Sequence, residues 1–173
     1  RYWTTESEMS DNRIVIYDTT LRDGAQTEGV TYSAEDKLDI LRELDRFGVG
    51  FVEGGWPGSN PRDDEFFAKA SEMGKGCVLT AFGSTRRQGV KAEEDPNLAA
   101  LADSPVQWCC IFGKTWDFQV TDALRTDLEA NLEMIRDSVS FLRSRGKHVI
   151  FDAEHFFDGY ASDRDYAISC LGA

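Results

Sequence analysis

Short apolar runs and amphipathic stretches take turns along this sequence about five times, at a spacing of roughly 32 residues. The apolar runs are Ile14-Val15-Ile16-Tyr17, Phe51-Val52-Glu53, Cys77 to Phe82, Val106 to Phe112 and HVIFDAE from His148. Each breaks off into polar or glycine-rich text, as buried strands do. Helical patterns fill the gaps. Behind Ser33 and two acidic residues, Leu38, Leu41 and Leu44 recur at helical spacing until Gly48 stops the run. DDEFFAKASEMG predicts a second helix, and a weak one falls near Asn97 to Ala102. The longest carries Leu128, Leu132, Ile135, Val139 and Leu142 every three or four residues, and DRDYAISCLGA begins another. Such an alternation calls for parallel strands joined by right-handed crossovers, an α/β fold.

Two architectures satisfy that pattern, an open doubly wound sheet and part of a (β/α)8 barrel. No GxGxxG turn follows the first strand, and polar residues gather at the ends of strands one, two and five, which suits a barrel mouth. The 173 residues fall short of the roughly 250 of a closed barrel. The expected fold is therefore a partial (β/α)8 TIM barrel of about five βα units.

Charge narrows the partners. With 31 acidic against 19 basic residues and no basic run beyond Arg86-Arg87, nucleic acid and anionic membranes are disfavoured. No stretch approaches the roughly 20 apolar residues of a membrane span. Residues 1–12, RYWTTESEMSDN, read as a polar leader without the marks of a signal peptide, so a cytoplasmic protein is expected. Cys77, Cys109, Cys110 and Cys170 show no CxxC spacing and read as reduced core or surface thiols.

Three segments could carry chemistry. Asp18-Thr19-Thr20-Leu21-Arg22-Asp23-Gly24-Ala25-Gln26 sits where strand one runs out. It could be a solvated loop in which Asp18 and Thr20 cap backbone amides, or a pocket holding a fixed cation and a hard oxygen ligand. Glu53 ends an apolar strand and precedes Gly54-Gly55, which permit close approach by a ligand or another backbone. A poorly solvated carboxylate there needs a cation, and Arg22 is the natural partner. Asp152 and Glu154 lie two apart on one strand face, where each can raise the pKa of the other. Lys114, Trp116, Asp117 and Phe118 could line the same mouth, whereas Phe66-Phe67 reads as core.

The run YDTTLRDGAQ with Glu53 resembles the Arg, Asp and Glu signature of the metal-dependent acyl-condensing and lyase TIM barrels. That family comprises 2-isopropylmalate, homocitrate and citramalate synthases and 3-hydroxy-3-methylglutaryl-CoA lyase. EGGWPGSNPRDDEFF, FGKTWDFQVTDALRTDLEANLEMIRDSV and FDAEHFFDGY are most similar to the citramalate synthase branch. The resemblance implies an acyltransferase of isoleucine or leucine biosynthesis. Acetyl-CoA would lose a methyl proton, its enolate would add to pyruvate or another 2-oxo acid, and hydrolysis would release CoA. It further implies a divalent cofactor (Mg²⁺, Mn²⁺ or Zn²⁺) and a homodimer in the intact protein. By position, Asp23 would be a metal ligand, Arg22 would stabilise the enolate or polarise the acceptor, and Glu53 would hold Arg22. Glu154 would match the catalytic glutamate of strand five, with Asp152 nearby and Gln26 at the rim contacting substrate. The proton acceptor is left open.

Two departures stand out. Ala25 occupies a position where many members carry Glu, and the His-x-His metal pair of a late strand is missing, since His148 and His155 match neither position. The expected organisation is therefore the N-terminal portion, residues 13–173, of a truncated pyruvate carboxyltransferase-type barrel. Edge strands lacking neighbours would make the isolated chain associate. The other readings are a different synthase or lyase of the same family, or a non-catalytic scaffold without the histidine pair.

Overall fold

The computed structural model describes residues 14–173, so the leader read over residues 1–12 lies outside the described residues. Five strands, β1 (Tyr17–Asp18), β2 (Phe51–Gly55), β3 (Val78–Ser84), β4 (Trp108–Lys114) and β5 (His148–Glu154), form one sheet. All neighbours are parallel, and their spatial order follows the sequence. A doubly wound sheet reverses its strand order at a switch point. This sheet has no reversal and is an arc of a barrel.

Among the described residues six α-helices accompany it: α1 (Ala34–Phe47), α2 (Pro61–Ser71), α3 (Pro96–Asp103), α4 (Leu128–Ser144), α5 (Phe156–Ser162) and α6 (Arg164–Gly172). Strand residues of one parity, Val52, Leu79, Ala81, Cys109 and Ile111, are buried in a single core with Leu41 of α1, Phe66 and Phe67 of α2, Leu101 of α3 and Leu142 of α4. Residues of the other parity, Tyr17, Glu53, Thr80, Cys110 and Asp152, share the opposite, inner face. The chemistry-bearing side chains stand there.

Local signals set the helix boundaries. The Ser33 hydroxyl accepts from the Asp36 amide at 3.1 Å while Asp36 accepts from the Ser33 amide at 2.8 Å, a reciprocal cap on α1. Gly48 ends that helix in the left-handed region at φ 87°. Asn60 followed by Pro61 starts α2, and Asp127 caps α4.

Some expectations shift. The predicted strand at 14–17 is reduced to a two-residue β1, because at the sheet edge it pairs only with β2 and leaves Ile14 and Ile16 exposed. The loop after β4 contains a π-helical turn at Gln119–Leu124, and α5 fills a stretch read as loop. All four cysteines are buried thiols. Among the described residues no helix is long and apolar enough to cross a membrane.

Candidate active site

β1 ends at Asp18, whose carboxylate accepts from the Thr20 amide at 2.9 Å and the Thr20 hydroxyl at 3.1 Å. That is the plain turn-forming role weighed for these two residues. The turn brings Arg22 back over the sheet, from the connecting loop and not from a strand. Its Nε donates to Glu53 Oε1 at 2.5 Å, and its guanidinium lies over the Phe82 ring, 3.6 Å from the centroid. Glu53 is only 1% exposed. A carboxylate so far from water is tolerable because its second oxygen is also bonded, accepting from the Tyr17 hydroxyl at 2.7 Å.

Arg22 also reaches the neighbouring Asp23, Nη1 to Oδ1 at 3.3 Å, leaving Nη2 without an acceptor among the described residues. Donors of this kind suit a carboxylate or a developing oxyanion. The guanidinium opens onto a cavity of about 290 Å³ lined by Tyr17, Arg22, Glu53, Cys110, Ile150 and Asp152, among others. A larger cleft of about 660 Å³ lies between the β3–α3 connection and α4. It holds none of the candidate residues and is spanned by the Arg86–Asp137 ion pair.

Electrostatics divide the acids of the mouth. Glu53 and Asp23 face Arg22, and Glu154, directly across from Lys114 in the β4–β5 register, accepts from its ammonium at 2.6 Å. Among the described residues Asp152 has no hydrogen-bond or ion-pair partner. Partial burial pushes its carboxyl above the usual range, the charge of Glu53 adds to this with a smaller push from Glu154, and Arg22 opposes it. Burial, joined by the charges of Glu53 and Asp152, pushes the Cys110 thiol up to about 12, so it is no nucleophile at neutral pH. Burial, then Cys110 and Glu53, pushes the Tyr17 phenol above its ordinary value, which keeps its proton in place.

Of the residues singled out from sequence, Arg22, Glu53 and Asp152 meet at the cavity. Glu154 stands higher on the same face with Lys114, and Asp23 is 62% exposed beside Arg22. Gln26 is an exposed residue of the turn Gly24–Gln26 and does not line the cavity. Gly54 and Gly55 do not open the strand to a ligand. A Cβ on Gly54 would stand 2.6 Å from Phe66 Cε1, and one on Gly55 would stand 2.6 Å from Asp63 Oδ2, so the glycines admit side chains of α2. Asp63 is there to receive the buried Lys37 ammonium at 2.5 Å and the Trp56 amide at 3.0 Å, which fixes the β2–α2 turn.

Tyr17, Thr80 and Phe82 went unnoticed in the sequence. A tyrosine and a threonine at inward positions of otherwise apolar strands were the available signal, since a buried hydroxyl needs a partner.

Among the described residues no group of three or more His, Cys, Asp and Glu side chains could hold a metal ion. The acids of the mouth are dispersed, with Glu53 bonded to Arg22 and Glu154 to Lys114, whereas a divalent ion takes roughly six oxygen ligands around one point. The residues present do not by themselves fit a catalytic metal.

Residues 13–166 match the HMGL-like family, nearly the whole described chain. The chain belongs to that family. Within it, the (R)-citramalate synthase of Aquifex aeolicus is 54% identical over 93% of this chain and 31% of its own length. 2-Isopropylmalate synthase 1 of Caldanaerobacter subterraneus is 29% identical over 92% of this chain and 38% of its own. The chain thus spans about a third of the length of the curated relatives it matches. The solved HMG-CoA lyase of Bacillus subtilis superposes with a TM-score of 0.59 at 16% identity, covering 80% of this chain and 45% of that one. That likeness speaks for the barrel fold of this HMGL-like chain, in agreement with the sequential strand order.

Proposed function

We propose that this chain is the N-terminal portion of a barrel acyltransferase that condenses acetyl-CoA with pyruvate to give citramalate and CoA. The observation that carries the reading is the Arg22–Glu53 pair at the cavity, in a chain more alike to an (R)-citramalate synthase than to a 2-isopropylmalate synthase. Carbon–carbon bond formation between an enolate and a 2-oxo acid builds negative charge on oxygen, first on the enolate and then on the alkoxide. Fixed donors aimed at that charge lower the barrier, and one such donor is worth about 3 kcal/mol. Arg22, held by Glu53 and stacked on Phe82, keeps Nη hydrogens free for this purpose. In this reading Asp152 contacts substrate, Glu154 is poised by Lys114 at the rim, and Gln26 sits on the exposed turn outside the cavity lining.

A divalent ion would find in Asp23 one ligand of its set, the others coming from substrate oxygens or from outside this chain. Such an ion, completed from outside this chain, would supply Lewis acidity toward the 2-oxo acid. The protein would be cytoplasmic, and dimeric when complete.

The test is pyruvate-dependent CoA release from acetyl-CoA, in a chain carrying this sequence at the length of its relatives, with Mg²⁺ or Mn²⁺ present. Arg22→Ala should lower release by about 100-fold or more, in line with the loss of one oxyanion donor. Release with 2-oxoisovalerate but not pyruvate would replace the acceptor by that of a 2-isopropylmalate synthase. Full activity in the Arg22→Ala variant would overturn the reading.

A further inference from the structure

Glu53 can orient Arg22 only if the carboxylate itself is kept from turning. Three short oxygen contacts lead from its far oxygen back to the backbone of β2. The Tyr17 hydroxyl donates to Glu53 Oε2 at 2.7 Å, lies 3.0 Å from Thr80 Oγ1, and Thr80 Oγ1 lies 3.2 Å from the Val52 carbonyl. Two hydroxyls bring two hydrogens to these three contacts. A carboxylate oxygen and a carbonyl can only accept, so the Tyr17 hydrogen goes to Glu53. The contact between the two hydroxyls is then a hydrogen bond only when Thr80 donates to Tyr17, and it is the shorter of the two contacts Thr80 makes. The chain of donation runs from Thr80 to Tyr17 to Glu53 Oε2, and from the other side Arg22 Nε donates to Oε1.

We propose that Tyr17 and Thr80 are positioning residues for Arg22, acting through Glu53. With Oε2 held by Tyr17 of β1, itself held by Thr80 of β3, and Oε1 bonded to Arg22, Glu53 on β2 has one orientation, and the guanidinium plane is fixed between that carboxylate and the Phe82 ring. The Tyr17 phenol keeps its proton because it is buried beside acidic neighbours, so the donor does not switch off across the working pH range. Neither hydroxyl acts on substrate. The consequence for catalysis rests on the condensation reading, whereas the positioning itself is measurable without any reaction.

The experiment is the Arg22 Nε–H resonance of the ¹⁵N-labelled chain, assigned by its disappearance in Arg22→Lys, with its rate of hydrogen exchange. In the parent chain this hydrogen should exchange slowly. Tyr17→Phe removes one oxygen and should speed exchange about tenfold and shift the resonance, with backbone amides of β2 and β3 changing by less than twofold. Thr80→Val should act in the same direction and Thr80→Ser, which restores the hydroxyl, should return the parent value. Should Tyr17→Phe fail to fold, the Thr80 pair decides alone. An Arg22 signal unchanged in both Tyr17→Phe and Thr80→Val overturns the proposal. So does equal loosening of the backbone amides, or a Thr80→Ser variant that behaves as Thr80→Val does, for these would mark mere packing. Because no substrate is present, failure here is distinct from failure of the activity assay.

Discussion

Among the described residues Asp152 forms no ion pair, and its behaviour with pH follows from its burial. A carboxyl whose pKa is raised on folding favours the protonated folded form. Its contribution to stability is fully present below the unfolded value and is lost as pH rises through the folded one. Ionising the group therefore weighs against the fold, through burial first and then the charges of Glu53 and Glu154, relieved in part by Arg22. Asp152→Asn should accordingly raise the midpoint of urea unfolding at pH 7, and the gain should vanish as pH falls below the ordinary carboxylate range. A variant equally or less stable at pH 7 would refute this. A cost to stability borne at a cavity wall is common where a group serves chemistry. The sequence made Arg22 and Glu53 legible because a carboxylate ending an apolar strand demands a cation. Tyr17 and Thr80 were opaque because the bonds they make link side chains of three different strands, which no spacing reveals.

Among the elements, α1 and β5 were readable to within a residue, the first by its capping box and Gly48, the second by its apolar run. β1 was misplaced since an edge strand needs no continuous apolar run, and the π-helical turn has no period that distinguishes it in a short polar loop. α5 hid behind Gly159, a poor helix former. Its reason is steric: a Cβ at Gly159 would stand 2.2 Å from the Thr115 carbonyl oxygen at the end of β4. Gly159→Ala must push α5 off the sheet, and a loss of about 2 kcal/mol is expected on chemical unfolding, in the range of overpacked sites. The buried Lys37–Asp63 pair holds α1, β2 and α2 together in the same way. Asp63→Ala leaves an ammonium without its counterion and should cost about 3 kcal/mol or more. An unfolding midpoint like that of the parent chain in either variant would contradict the assigned contacts.

At the scale of the molecule, alternation announced parallel strands but could not choose between a barrel arc and a doubly wound sheet. The choice came from strand order, a property of pairing that periodicity does not encode. Among the described residues β5 pairs only with β4, and its far edge offers amides and carbonyls to any similar edge. Exposed Phe157, Ile168 and Leu171 lie on the helices that follow it. Light scattering on the purified chain should therefore return a mass above the monomer that falls with dilution or mild urea, and a clean monomer with a sharp melting transition would refute the association.

The sequential sheet also has a history written into it. Tyr17, Arg22, Glu53, Thr80 and Phe82 all lie before the end of β3 at Ser84, so the guanidinium clamp uses nothing that a ribosome makes later. At roughly 5–20 residues per second, each further βα unit takes seconds to emerge, long enough for the strand before it to settle on its template. Arg22 can be set in place before β4 and β5 are made, and those later units need only add to the wall around it.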